Sequence, residues 1–413
     1  MICACITVVK WHVEPQPLAQ ILLLFVIESE GNTCLGGENM LTKAAVLYQM
    51  GLPTPYADSQ PLRIETLEVD APGYGEVLVK IRSAGLCHSD LSVINGSRPR
   101  VMPMVLGHEA AGEVLEAGPG VSEFQSGDHV VCTFVPSCGH CLPCQEGRPA
   151  LCETGAATNA NGTLLSGEIR LHRGEQAIHH HLGVSGFAEY AVVSARSLVK
   201  VDEDIPFNHV AIFGCAVITG IGAVVNTAKV EMGSSVAVVG LGGIGMSALL
   251  GALAAGAREV IAIDINTEKL EFAKNLGATQ VFDSRDPEVI ANVKSATGGG
   301  VDYGFETAGV TAAMNIAYGI TRRGGTTVTS GLPHPSHQFT IPHVTLTAEE
   351  RTIKGSYLGS SVPSRDIPRL ISLYKQGRLP VDRLVSDVIS LTDINHGFDK
   401  LANGSGLRII VEI

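Results

Sequence analysis

Val236-Ala237-Val238-Val239-Gly240-Leu241-Gly242-Gly243-Ile244-Gly245 is a short apolar run broken by a G-x-G-x-x-G turn. The run has the length and composition of a buried strand. A long stretch of small residues follows and reads as a helix, and a second apolar run, Val260-Ile261-Ala262-Ile263, then ends on Asp264. A glycine turn alone is weak evidence, because the same pattern occurs in flavodoxin-like and other open sheets that bind no dinucleotide. Here it follows a strand, opens a helix and is answered by an acid. In that setting Gly240 permits the sharp turn, Gly242 lets backbone approach a pyrophosphate, and Gly245 lets helix and strand pack closely. Gly243 completes the cradle, and the first amides of the helix face the phosphates. Asp264 is placed to bind both hydroxyls of an adenosine ribose and to repel a 2′-phosphate, which favours NAD over NADP.

Outward from this unit the alternation continues through Thr279-Gln280-Val281-Phe282, Val301-Asp302-Tyr303-Gly304-Phe305-Glu306 and Thr326-Thr327-Val328-Thr329. Strands alternating with helices predict an α/β fold with a doubly wound parallel sheet. Upstream, from about residue 62 to 135, short Val/Ile/Leu runs alternate with turns such as Gly73-Tyr74-Gly75-Glu76 and Gly118-Pro119-Gly120. That spacing predicts a second, mainly β, barrel-like domain. The tail from about residue 358 is mixed and ends in the strand-like Leu407-Arg408-Ile409-Ile410-Val411.

At 413 residues the chain is long enough for two domains with sizeable cores. Its net charge of -12 argues against nucleic acid or anionic membranes as partners. No apolar stretch reaches the roughly 18 to 20 residues needed to span a bilayer, so a soluble protein is expected. Seven of the ten cysteines fall between Cys87 and Cys215, a pattern that suits metal binding in a reducing, cytoplasmic setting better than disulfides. Cys3, Cys5 and Cys34 lie in residues 1–40, which are unlike the rest and carry the apolar run Ile21-Leu22-Leu23-Leu24-Phe25-Val26-Ile27. That run lacks the flanks of a signal peptide. Residues 1–40 read as an extension, disordered or not native, with Met40 as the biological start.

Three further groups carry chemistry. Gly85-Leu86-Cys87-His88-Ser89-Asp90 places a thiol, an imidazole, a hydroxyl and a carboxylate side by side after the strand-like Val77-Leu78-Val79-Lys80-Ile81. On its own it reads equally as a polar turn. Cys138, Cys141, Cys144 and Cys152 form C-x2-C-x2-C-x7-C, which can close a tetrahedral thiolate shell around a structural zinc. Cys132 falls outside the spacing and reads as a small buried residue. Gly107-His108-Glu109 and Gly214-Cys215 complete the set, although no local spacing requires Cys87, His108 and Cys215 to meet.

Taken in order, these motifs, with Thr219-Gly220 and Gly240 to Gly245, resemble the zinc-dependent alcohol dehydrogenases of the medium-chain dehydrogenase/reductase superfamily. The likeness runs from about residue 42 to the C-terminus. Ile178-His179-His180-His181-Leu182-Gly183 is similar to the class III-like, long-loop branch. The resemblance implies a GroES-like catalytic domain of residues 41–216 and 358–413, and a Rossmann NAD-binding domain of residues 217–357. It implies two zinc ions per chain: a catalytic one on Cys87, His108 and Cys215 with Glu109 as an alternate ligand, and a structural one on the four-cysteine cluster. Asp90 would steady the catalytic ligands. Ser89 would take the alcohol proton, and His88, Thr219, Lys269 and Arg408 would contact the cofactor. Many members end the proton relay on a histidine three residues after the serine; here Ser92 stands in that place.

The implied reaction is reversible hydride transfer from a primary aliphatic or aromatic alcohol to NAD+, giving an aldehyde. The alternatives are the glutathione adduct of formaldehyde as substrate, a zinc-free quinone or enone reductase, and a non-catalytic NAD- or zinc-binding relative. Class III members carry acids after the first zinc cysteine where this chain has the basic Asn95-Gly96-Ser97-Arg98-Pro99-Arg100. That difference disfavours the adduct, and Arg98 or Arg100 would accommodate an acidic substituent. The segment reads otherwise as a solvated surface loop. The family also implies a homo-oligomer, with a dimer favoured, joined at a sheet edge near Thr326 to Gly331.

Overall fold

A computed structural model describes residues 40–413. The expectations placed on residues 1–39, including those for Cys3, Cys5 and Cys34, lie outside the described residues.

Six strands form one parallel sheet in the spatial order Gln280–Asp283, Glu259–Asp264, Ser235–Val239, Val301–Glu306, Thr321–Thr329, Thr352–Gly355. The strand order reverses between Ser235–Val239 and Val301–Glu306, so a crevice opens beyond the carboxyl ends of these two strands. The glycine turn lies there. Alternate residues of Ser235–Val239 serve two different cores. Val236 and Val238 pack with Met246 and Leu249, whereas Ala237 and Val239 pack with Val293 and Ala317 on the other face. Burial on both faces is why this strand is a continuous apolar run rather than an alternating one.

The remaining strands build the β-rich part. Met40–Leu47, Leu62–Val69, Leu171–Arg173, Gln176–His180 and Met104–Val105 close into a barrel. Beside it, Glu76–Gly85 pairs antiparallel with Ala110–Ala117, Tyr190–Ser194 and the C-terminal Arg408–Glu412. The tail therefore returns to the first half of the chain, and Glu76–Gly85 delivers Cys87 two residues beyond its end.

One expectation is corrected. Thr321–Thr329 is not the sheet edge near Thr326 to Gly331, because Thr352–Gly355 pairs along it and takes the edge position. The sequence reading also omitted the strands at 171–180 and 190–194. Among the described residues no single helix is long and apolar enough to cross a membrane. The bent apolar pair Phe207–Gly214 and Ala216–Ala228 is largely buried in the core and presents Cys215 at its break.

Candidate active site and metal centres

Three separate elements converge on Cys87, His108 and Cys215. Cys87 precedes the helix His88–Ile94, His108 precedes the strand Ala110–Ala117, and Cys215 sits at the kink before the helix Ala216–Gly222. Gly107 sets the approach of His108: its φ is +89°, and a Cβ there would lie 2.6 Å from the backbone nitrogen of Phe187. The three ligand atoms lie within 4.8 Å of one another and all three residues are buried. Cys215 Sγ is 3.5 Å from His108 Nε2. A hydrogen bond from Cys215 holds the Cys87 thiol well below its usual pKa and raises that of Cys215, so the pair favours a thiolate at Cys87. Two sulfurs and an imidazole nitrogen in one buried cluster fit zinc and leave a fourth position open.

Asp90 holds this cluster from behind. It accepts from the Gly107 amide at 3.0 Å, and its Oδ1 is 3.1 Å from His108 Nδ1, which turns His108 Nε2 toward the cysteines. Burial pushes the Asp90 carboxyl up, but His108 and His181 outweigh it and keep the pKa well below the carboxylate range. His181, to which the sequence reading gave no role, stands 2.9 Å from Asp90 through Nδ1. Two buried imidazoles thus share one carboxylate. Only the H-H-H run at 179–181 signalled it, and nothing in that run distinguishes which histidine turns inward.

Glu109, expected as an alternate ligand, stands outside the three-atom cluster; its carboxylate faces Arg408 Nη1 at 3.1 Å. Arg408 is itself buried and donates from Nη1 to the Leu86 carbonyl at 2.9 Å. Its guanidinium also covers the glycine turn, since a Cβ on Gly243 would lie 2.2 Å from Nη2. Arg408 Nε has no partner among the described residues, so the arginine ties the zinc segment to the turn and keeps a donor in reserve.

The turn has the geometry its sequence promised. Gly240 adopts φ +96°, and a Cβ on Gly245 would lie 1.8 Å from the Gly240 carbonyl oxygen, so strand and helix abut there. Gly242 has nothing within 4 Å of its Cβ position. It is also the N-cap of the helix Gly243–Ala254 and supplies no side-chain cap, which leaves first-turn amides for an anion. Asp264 accepts from the amides of Leu241 at 2.5 Å and Asn266 at 2.8 Å, fixing its carboxylate beside the turn. Lys269 lies half-buried in the first turn of the next helix, Thr267–Leu276. His88 is within electrostatic reach of both Lys269 and Arg408. Thr219 is buried, and its Oγ1 lacks any partner among the described residues. Uncapped amides, an open glycine and orphaned polar atoms fit a dinucleotide.

Ser89 is half-buried beside Cys87. Ser92 Oγ donates back to the His88 carbonyl at 2.7 Å and so does not extend a relay from Ser89. Two aromatic rings that the sequence reading missed wall the site. Phe134 stands edge-on to His108, with centroids 5.5 Å apart, and Tyr357 stands edge-on to Phe134 at 5.8 Å.

The second cluster gathers Cys138, Cys141, Cys144 and Cys152, again within 4.8 Å. Its sulfurs accept backbone amides, Cys138 N to Cys152 Sγ at 3.2 Å, Cys141 N to Cys138 Sγ at 3.3 Å and Gly155 N to Cys152 Sγ at 3.3 Å. Such bonds stabilise thiolates. The seven described cysteines are all free. Cys132 stays apart, its thiol pushed up to about 12 by burial, as a small core residue should be.

A parallel sheet with a glycine turn at its switch point, opposed by a buried thiolate and imidazole cluster, defines a metal-dependent, nicotinamide-linked oxidoreductase. The family model described as "Alcohol dehydrogenase GroES-like domain" matches residues 73–203, and that described as "Zinc-binding dehydrogenase" matches residues 243–376. The chain is 40% identical over 378 residues to an NDMA-dependent alcohol dehydrogenase of Amycolatopsis methanolica, covering 90% of this chain and 99% of that one. It is 38% identical over 377 residues to an S-(hydroxymethyl)glutathione dehydrogenase of Synechocystis, covering 90% and 100%. Among solved structures, benzyl alcohol dehydrogenase of Acinetobacter calcoaceticus aligns with a TM-score of 0.84 at 34% identity, covering 91% of this chain and 99% of that one. The chain belongs to the zinc-dependent alcohol dehydrogenases of the medium-chain dehydrogenase/reductase superfamily.

Proposed function

We propose that this enzyme oxidises primary alcohols, aromatic ones included, to aldehydes with NAD+, and that it runs the reverse reaction when NADH is in excess. The observation that carries the reading is the convergence of Cys87, His108 and Cys215 behind an aromatic wall. When bound, zinc on these three residues supplies the Lewis acidity that makes an alcohol a stronger acid, and the nicotinamide supplies the acceptor for the hydride. Asp90 pairs with His108 Nδ1, so that Nε2 is the nitrogen that would be offered to the metal. The buried Phe134 and the partly exposed Tyr357 offer ring surface along which the substrate carbon chain would lie. Ser89 receives the alcohol proton. With Ser92 turned back on its own helix, that proton passes to solvent. The balance is one alcohol and one NAD+ in, one aldehyde, one NADH and one proton out.

Asp264 supports NAD over NADP, because its charge stands where a 2′-phosphate would lie. Thr219, Lys269, Arg408 and His88 line the same cradle and are assigned to the cofactor with it. The free cysteines accord with a cytoplasmic enzyme, and the edge strand Thr352–Gly355 is the natural seam for a homodimer.

The four-cysteine cluster we assign to a second, structural zinc. Cys141→Ser is expected to remove about one zinc per chain and to lower the thermal midpoint. Metal content and thermal unfolding measured together check this; full zinc content in the variant would contradict the assignment. As to substrate, Arg98 and Arg100 make basic a segment in which the resemblance to class III members implies acids. The value of kcat/KM for benzyl alcohol is therefore expected to exceed that for S-hydroxymethylglutathione, and the reverse order would overturn the choice.

A further inference from the structure

Arg98 and Arg100 flank Pro99 in the loop between the helix His88–Ile94 and the strand Met104–Val105. Both are half-buried. Among the described residues they bond only to backbone carbonyls, Arg98 Nη2 to Leu332 O at 2.8 Å and Arg100 Nη1 to Pro99 O at 3.2 Å. Among the described residues neither meets a carboxylate, and the buried Arg100 Nε has no partner there. The bond to Leu332 carries Arg98 across to the loop after Thr321–Thr329, beside the cofactor crevice. Toward the interior, Arg98 is within electrostatic reach of Cys87 and Tyr357, and Arg100 within reach of Tyr357 and His181. The rings of Tyr357 and Phe134 then lead from the arginines to His108.

Two guanidinium groups side by side, partly withdrawn from water and without a counter-ion, are an unfavourable arrangement by themselves. Burial and the neighbouring Arg100 both work against the charge on Arg98. An anion placed between them would relieve this, and a carboxylate matches the planar, forked guanidinium donors. We propose that Arg98 and Arg100 bind a carboxylate at the far end of the substrate, so that the preferred substrates are hydroxy acids. In such a molecule a primary alcohol lies at the metal cluster and a ring or short chain lies along Phe134 and Tyr357. The proposal rests on the alcohol oxidation reading for its chemistry, but the anion site itself does not depend on turnover.

The test compares para-(hydroxymethyl)benzoate with para-methylbenzyl alcohol on the zinc-loaded enzyme. The acid is expected to have the higher kcat/KM by about tenfold or more, the scale of hydrogen bonds to a charged group. In Arg98→Gln, Arg100→Gln and the double variant that ratio is expected to fall toward one. Calorimetric titration with para-methylbenzoate, which cannot be oxidised at an alcohol, reads the anion site separately and is expected to weaken about tenfold in Arg100→Gln. Equal kcat/KM for acid and neutral alcohol, or a ratio and an affinity unmoved by the substitutions, would overturn the proposal while leaving alcohol oxidation standing. Arginine-dependent binding of para-methylbenzoate by a protein that oxidises no alcohol would support the anion site and remove the dehydrogenase reading.

Discussion

Cys87→Ser is expected to lower turnover of any alcohol by about 10³-fold or more, because the Lewis acid it helps to hold contributes several kcal/mol, and each 1.36 kcal/mol is tenfold in rate. Serine keeps the volume but offers a hydroxyl that does not ionise at neutral pH, so the cluster with His108 and Cys215 loses a soft, charged donor. The fold should survive, since Cys87 lies in the loop after Glu76–Gly85 rather than within a strand. Zinc content should fall by about one ion per chain, because the Cys138 cluster belongs to another segment. Steady-state kinetics with metal analysis reads both effects. Full activity in this variant would remove Cys87 from the metal centre.

Asp264→Asn is expected to reduce the preference for NAD+ over NADP+ by about 10²-fold. The substitution removes one negative charge beside the ribose site while keeping the side chain's shape and one acceptor oxygen. Asp264 receives the Leu241 amide on Oδ2 and the Asn266 amide on Oδ1; asparagine keeps an acceptor for one of the two, whereas a shorter side chain would leave both without one and disturb the turn. The ratio of kcat/KM for the two cofactors is the readout. An unchanged ratio would mean that the carboxylate serves only the loop.

Local chemistry made much of this legible in the sequence. Val236 to Gly245 announced a strand, turn and helix because each residue type there answers a local need: apolar side chains for two cores, and glycines for a positive φ at Gly240 and a close approach at Gly245. The four-cysteine cluster was legible for the same reason, its ligands being near neighbours along the chain. Cys87, His108 and Cys215 were not joined by any spacing; they meet only through the packing of three elements, and it was the resemblance to a family that paired them beforehand. His181, Phe134 and Tyr357 were missed because a buried histidine and two aromatic residues look alike in sequence whether they fill a core or wall a site. Glu109 shows a similar limit: its ion pair with the distant Arg408, brought in by the C-terminal strand, has no signal in the local sequence. The sheet edge was misplaced because Thr352–Gly355 is a four-residue strand with no marked apolar pattern, exposed except at the half-buried Ile353.

The most direct test of the account is the rate of NADH formation from benzyl alcohol before chelation, after exhaustive chelation and after zinc is restored. The account predicts turnover that disappears with the metal and returns with it. A metal-free protein that forms NADH at an undiminished rate, or a fully zinc-loaded one that oxidises no primary alcohol, would contradict it.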